Sequence, residues 1–226
     1  GDKSGDVNAM EEYMAYRIFN LLSPVSYRVR PLRIRFSDTE KQTADDPRYG
    51  FLIEPSSVLA ARNGAELIDR KSISLGQLNP QQAALTYVFQ YMIGNTDWSL
   101  VAAEEEAYCC HNGKLLDIDG AIHYVPYDFD LAGLVNASYA KPDPSLKLRN
   151  VRMRRYRGFC SSQQVLLDAV EQAVSLKDQV LEIVATTPGL TDRDRKKAAA
   201  YLEDFFEKAA DSKALAEKFE RRCLEP

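Results

Sequence analysis

Gly94-Asn95-Thr96-Asp97-Trp98, followed further on by Pro126-Tyr127-Asp128-Phe129-Asp130, is the part of the sequence that decides its reading. Ahead of the first stretch, Leu78-Asn79-Pro80 opens a helix. Asn79 is suited to cap it, and Pro80 fits a first turn whose N–H has no intrahelical partner anyway. Ala84, Val88, Tyr91 and Met92 then recur at helical spacing, and Gly94 ends the run. Between the two stretches, Lys114 to Ile118 reads as a strand, Asp119-Gly120 as a turn and Ile122 to Tyr127 as a second strand. The order is helix, Asp-bearing loop, hairpin, second acidic loop. A hairpin of this kind carries Asp128-Phe129-Asp130 back toward the loop at Asp97.

Two acidic loops at one edge suit phosphoryl transfer. That reaction asks for a carboxylate to orient the attacking hydroxyl and for carboxylate or amide oxygens to hold a hard cation against the phosphates. Either loop alone has a plainer account. Asn, Thr and Asp are turn residues, so a helix-end turn explains Asp97, and a solvated strand end explains Asp128 and Asp130. Their occurrence together and in this order favours the chemical reading.

Toward the N-terminus, residues 1–7 read as a polar lead-in, and Asn8 with Glu11 fits a helix cap. Met10, Met14, Ile18, Leu21 and Leu22 give that helix an apolar face, and Ser23-Pro24 stops it. Tyr27 to Phe36 alternates as a strand with Arg28, Arg30 and Arg35 outward; Pro31 marks an edge or a bulge. Residues 38–47 form a polar hairpin loop, and Tyr49 to Pro55 a second strand. These elements are too few to stand alone. Toward the C-terminus, residues 134–159 lack any period and carry Arg149, Arg152, Arg154, Arg155 and Arg157. Guanidinium groups suit phosphate or acidic peptides, but pairing with the acidic C-terminal helices is the favoured reading. Helices follow over 162–186, 192–210 and 212–223, with Thr191 and Asp194 as a cap. The expected division is a partial small lobe over 1–60 and a large lobe with a helical bundle over 61–226.

The 226 residues are 45% hydrophobic and 27% charged, as in a soluble globular chain, and the net charge of -4 argues against general nucleic-acid binding. No apolar run reaches the roughly 20 residues of a membrane-spanning helix. Gly at position 1 points to a processed or engineered start, so the sequence leaves an export signal and the compartment open. Cys109, Cys110, Cys160 and Cys223 make no zinc pattern. The vicinal pair reads as two thiols at a strand start, and disulfides are left open. His111 and His123 have no metal-pair spacing and read as satisfied or exposed side chains. Trp98 and Phe129 read as packing residues.

Glu12-Tyr13-Met14-Ala15-Tyr16-Arg17, Tyr27-Arg28-Val29-Arg30, Gly50-Phe51-Leu52-Ile53-Glu54-Pro55, Gly94 to Trp98 and Pro126 to Asp130 together resemble the CotH-type spore-coat kinases. More broadly, they resemble the atypical protein-kinase-like superfamily. The resemblance covers about Glu11 to Gly133. It implies an α+β, protein-kinase-like fold with a reduced N-terminal lobe of one helix and short antiparallel strands, and a mainly helical C-terminal lobe. It also implies a phosphotransferase using ATP with Mg or Mn on a protein or small-molecule hydroxyl. In that family pattern Asp97 is the catalytic-loop aspartate and Asp128 the metal-holding one, while Asp130 takes the place of the glycine of Asp-Phe-Gly. Glu12 would pair with a phosphate-binding lysine, and Glu54 would lie near the hinge over the adenine. Asn112 would be the second metal ligand, with Asn95 as an alternative oxygen donor. The pattern departs ahead of Glu12, where kinase-like folds carry a phosphate-covering hairpin and a strand lysine. Lys3-Ser4-Gly5 is too short for these. The alternative expectation is therefore a pseudokinase or interaction scaffold of the same fold.

Overall fold

A computed structural model describes residues 3–38, 40, 43–44, 46–101 and 108–225 of the chain. Helix α1 spans Lys3–Leu22 and so begins more than a turn before the cap expected at Asn8. The cause is tertiary. Asp6 accepts hydrogen bonds from Arg48 Nε (2.6 Å) and the Tyr49 amide (3.1 Å), which ties the first turn to a strand distant in sequence. Met10, Met14, Ile18 and Leu22 of its apolar face are fully buried, together with Tyr13, Tyr16 and Phe19.

Strand β1 (Val29–Ile34) pairs antiparallel with β4 (Arg48–Ile53), Leu32 opposite Gly50. A two-residue pair, β2 (Ser37–Asp38) and β3 (Thr43–Ala44), lies between them, within the segment expected as a loop. The ribbon gains stability from α1: Phe51 packs on Tyr13 and Tyr16 with ring centroids 6.0 and 5.6 Å apart. Residues 56–68 hold two elements that the sequence reading passed over, α2 (Ser56–Arg62) and β5 (Glu66–Ile68). Only Leu59 and Ala60 of α2 are buried, too few to show a period.

Helix α3 (Pro80–Ile93) follows the sequence expectation: Asn79 Oδ1 accepts from the Gln82 amide at 2.9 Å. Nearly every side chain of α3 is buried, so it is the central helix rather than a surface one. Gly94 closes it in the left-handed region (φ 68°), where a Cβ would also collide with the Tyr201 hydroxyl. Strands β6 (Gly113–Ile118) and β7 (Ala121–Pro126) form the expected hairpin, and β5 joins the far edge of β6. Asp119 and Gly120 both have positive φ, as the tight two-residue turn requires.

Residues 134–159 contain only a single 3-10 turn, Pro144–Leu146. The helix expected over 162–186 is two, α4 (Gln163–Ser175) and α5 (Lys177–Thr186), broken at Leu176. Helices α6 (Asp192–Lys208) and α7 (Ser212–Glu220) complete the bundle, and the Thr191–Asp194 cap forms in both directions. Cys160 is bonded to Cys223 and Cys109 to Cys110, so the expectation of two thiols is corrected. Both vicinal side chains are buried, with their sulfurs near the Leu100 carbonyl. Among the described residues no helix is long and apolar enough to cross a membrane.

Candidate functional site

The two acidic loops meet through the backbone. The amides of Gly133 and Leu134 donate to the carbonyls of Gly94 (3.1 Å) and Ile93 (2.9 Å), which fastens the chain after Asp130 to the end of α3. On the other flank, the Ser99 amide donates to the His111 carbonyl (3.1 Å) and the Tyr127 amide to that of Asn112 (3.0 Å). The loop at Asp97 thus sits between the start of the hairpin and the segment that leaves it.

Local bonds shape the first loop. Asn95 Oδ1 accepts from the Asp97 amide at 2.9 Å, and its carbonyl accepts from the Trp98 indole at 3.2 Å. Asn95 is buried and its side-chain oxygen is engaged, so it does not face out as an alternative metal donor. Trp98 stacks on Tyr87 and is buried, the packing role expected of it. Arg157 reaches in from the 134–159 segment and donates to the carbonyls of Thr96 and Trp98, on either side of Asp97.

The Asp97 carboxylate is held on both oxygens. His111 Nε2 lies 3.0 Å from Oδ1, and Asn112 Nδ2 donates to Oδ2 and to the Asp97 main-chain oxygen, both at 2.8 Å. With a side chain 39% exposed, Asp97 remains open to a reactant. Tyr124 is buried within the hairpin, and its hydroxyl donates to the carbonyls of both His111 and Asn112 at 3.0 Å. Asn112 takes a left-handed conformation (φ 52°), a cost of the kind that clusters at functional sites. The other arm of its amide, Oδ1, has no protein donor among the described residues. His111 is the residue that sequence reasoning undervalued. Its adjacency to Asn112 was visible, but its contact with Asp97 depends on how the start of the hairpin packs beside the loop.

The second loop is fixed by α1. The Asp128 amide donates to the Tyr16 hydroxyl at 2.8 Å, and the Phe129 amide to Glu12 Oε1 at 3.3 Å. Phe129 is fully buried, with its ring 4.6 Å from that of Tyr16 and 5.2 Å from that of Phe89. Asp128 also has positive φ (60°). Asp130 accepts from the Tyr139 hydroxyl at 2.8 Å. Partial burial pushes the Asp128 carboxyl up to about 6, helped by the charge of Asp130 and that carboxyl's hydrogen bond, and by Asp97; His111 works the other way. Burial likewise lifts Glu12 to about 7; the Phe129 amide opposes this, and Asp128 and Asp130 add to it. Repulsion among carboxylates of this kind is relieved by a bound cation.

Among the described residues no three His, Cys, Asp or Glu side chains converge to hold a metal by themselves. Magnesium is commonly held by one or two carboxylates together with phosphate oxygens. Asp128 with Asp130 or the free Asn112 oxygen supplies donors of that kind.

Glu12 and Glu54 each have partners of their own in the structure. Glu12 forms no ion pair with a lysine or arginine among the described residues and instead accepts from Phe129. Glu54 stands where β4 meets α2, but its carboxylate is bound to Arg62 Nε (2.9 Å) and to the Arg28 amide (2.6 Å). The arginine run partly follows the favoured reading: Arg154 pairs with Asp204 of α6 and also donates to the Met92 carbonyl.

No protein-family model matches the chain, and no curated protein matches it in sequence. Among solved structures it is similar to the crystal structure of a Helicobacter pylori proinflammatory kinase, CtkA. The two share 12% identity at a TM-score of 0.52, over 93% of this chain and 87% of that one. At that identity the likeness concerns the fold alone. The chain has an α+β, protein-kinase-like fold with a reduced N-terminal lobe and a mainly helical C-terminal lobe. The narrower CotH-type likeness stays a resemblance of motifs.

Proposed function

We propose that this protein is a kinase-like phosphotransferase that uses ATP and magnesium or manganese to phosphorylate a protein or small-molecule hydroxyl. The observation that carries the reading is the Asp97 carboxylate, fixed by His111 and Asn112 beside Asp128. In this reading the small lobe is residues 1–60 and the large lobe 61–226. Asp97 accepts the proton of the substrate hydroxyl as its oxygen bonds to the γ-phosphorus; the bond from that phosphorus to the β,γ-bridging oxygen breaks, and ADP leaves. Asn112 and His111 keep the carboxylate pointed at that proton. Asp128, with Asp130 or Asn112, would hold a divalent ion, whose contribution is to offset phosphate charge. Glu12 and Tyr16 set the Asp128-Phe129 backbone in position, and Glu54 marks the junction where the adenine would lie.

The alternative is a pseudokinase or scaffold, and one observation favours it: Glu12 has no cationic partner among the described residues. Both readings are tested by thermal shift with ATP and magnesium and by transfer of labelled phosphate to a mixed protein substrate. The enzyme reading expects a metal-dependent shift, transfer abolished in Asp97→Asn with the shift retained, and both lost in Asp128→Asn. A shift without transfer in the wild type selects the scaffold. No shift at all removes the nucleotide from both.

A further inference from the structure

A groove of about 720 Å³ runs between the 134–159 segment and the C-terminal end of the chain. Its lining includes Arg154, Arg155, Arg157 and Arg222 and no acidic residue. Two of these guanidinium groups are committed to the fold, Arg154 to Asp204 and Met92, and Arg157 to Thr96 and Trp98. Arg155 is exposed and its hydrogen bond to the Leu146 carbonyl is a long one, 3.3 Å; Arg222 is exposed and has no ion pair among the described residues. Asp143, which acts electrostatically on Arg157, is itself turned onto Ser145. Apolar surface lies beside these charges: Met153 is 42% and Leu224 40% exposed. On a chain of net charge -4, this local basic groove with an apolar floor runs against the overall balance.

The groove is also joined to the candidate site. Arg157 lines it and, with the same side chain, holds the carbonyls on both sides of Asp97. We infer that the groove docks an acidic segment of a protein substrate, with carboxylates on Arg155 and Arg222 and an apolar side chain over Met153 and Leu224, so that a neighbouring hydroxyl is led to Asp97. This rests on the phosphotransferase reading and narrows its substrate to an acidic protein. Guanidinium forks match carboxylates in paired hydrogen bonds, and the apolar floor distinguishes a peptide from a bare polyanion. Nucleic acid is the poorer fit because the chain as a whole carries a net charge of -4.

The test is direct binding to the full chain, without nucleotide, of a fluorescent peptide with Asp and Glu flanking one Ser and one Leu. A control peptide carries Asn and Gln in place of the acids. Wild-type protein is expected to bind the acidic peptide about tenfold or more tightly than the control, with affinity falling as salt rises. Arg155→Glu/Arg222→Glu should lose that preference while melting temperature and nucleotide shift stay unchanged, and each single Gln variant should lose part of it. Equal binding of the two peptides, a preference that survives the double substitution, or Arg-dependent capture of phosphatidylserine vesicles or RNA without peptide preference overturns the proposal. Because the assay involves no transfer, a peptide preference with no phosphorylation keeps the docking groove and rejects the enzyme. Transfer without a preference does the opposite.

Discussion

The side-chain amide of Asn112 donates twice to Asp97, to Oδ2 and to the main-chain oxygen, both at 2.8 Å. One residue therefore fixes the direction of the carboxylate and the path of its backbone. Asn112→Asp keeps the shape but turns a donor into a like charge against Asp97. The variant is expected to lose transfer by about 10²–10³-fold, the scale of misplacing one catalytic group. It should lose more than Asn112→Ala, which removes the bonds without adding repulsion. Steady-state transfer at saturating ATP and magnesium checks the order. An aspartate variant as active as the wild type would mean that the bond does not position Asp97.

Tyr16 lies 112 residues from Asp128 in sequence, yet its hydroxyl is the acceptor for the Asp128 amide. Tyr16→Phe leaves that N–H without its partner and should cost about 1–3 kcal/mol of stability by denaturant titration. Because the amide belongs to a residue at positive φ, its release should also weaken metal–nucleotide binding. Stability and binding both unchanged would show that solvent satisfies the amide equally well.

The parts of the fold legible in the sequence were those set by neighbours along the chain. Asn79 before Pro80, Gly94 after Ile93, the Asp119-Gly120 turn and the Thr191–Asp194 cap all act within a few residues, and each forms as read. Asp97 and Asp128 were legible for the same reason, since turn residues beside a helix end and a hairpin end announce themselves. The early start of α1 was not, because it depends on Arg48 reaching Asp6 across the chain. Nor were the roles of His111 and Tyr16, whose bonds to the acidic loops exist only once the hairpin and α1 are packed. The partners of Glu54 were equally hidden: its carboxylate is bound by Arg62 and by the Arg28 amide, contacts that form only when β1, β4 and α2 come together.

Glu11 provides a pH test separate from the acidic loops. It is 7% exposed beside a cavity of about 240 Å³, and burial, with the charge of Asp194, lifts its carboxyl to about 8 against the pull of Lys197 and Arg152. The unfolded chain loses this proton near the ordinary value of 4.5, whereas the folded chain keeps it to about 8. The folded state therefore binds more protons in that window, and stability falls as pH rises through it. Glu11→Gln retains the shape without the charge, so its stability should decline less. Allowing for water in the cavity, a gain of about 2 kcal/mol over wild type at the alkaline end corresponds to about 4–8 °C in melting temperature. Parallel melting curves for the two proteins across the window would overturn the assignment.

The two disulfides should differ sharply in what their removal costs. Cys160 and Cys223 are 63 residues apart, and the bridge closes α4 through α7 against the Phe159–Leu224 contact. Opening a loop of that length restores chain entropy to the unfolded state worth about 4 kcal/mol. Cys160→Ser/Cys223→Ser should show that loss in urea titration, and Leu224 should become less protected at the floor of the arginine groove. Cys109 and Cys110 are adjacent and close no loop, so the same entropy argument assigns their bridge nothing. Cys109→Ser/Cys110→Ser is instead expected to act locally. Its sulfurs sit under the turn that carries His111 and Asn112, so transfer should fall more than global stability does. A vicinal variant that unfolds as readily as the long-loop one would show that the buried turn, rather than chain entropy, governs stability here.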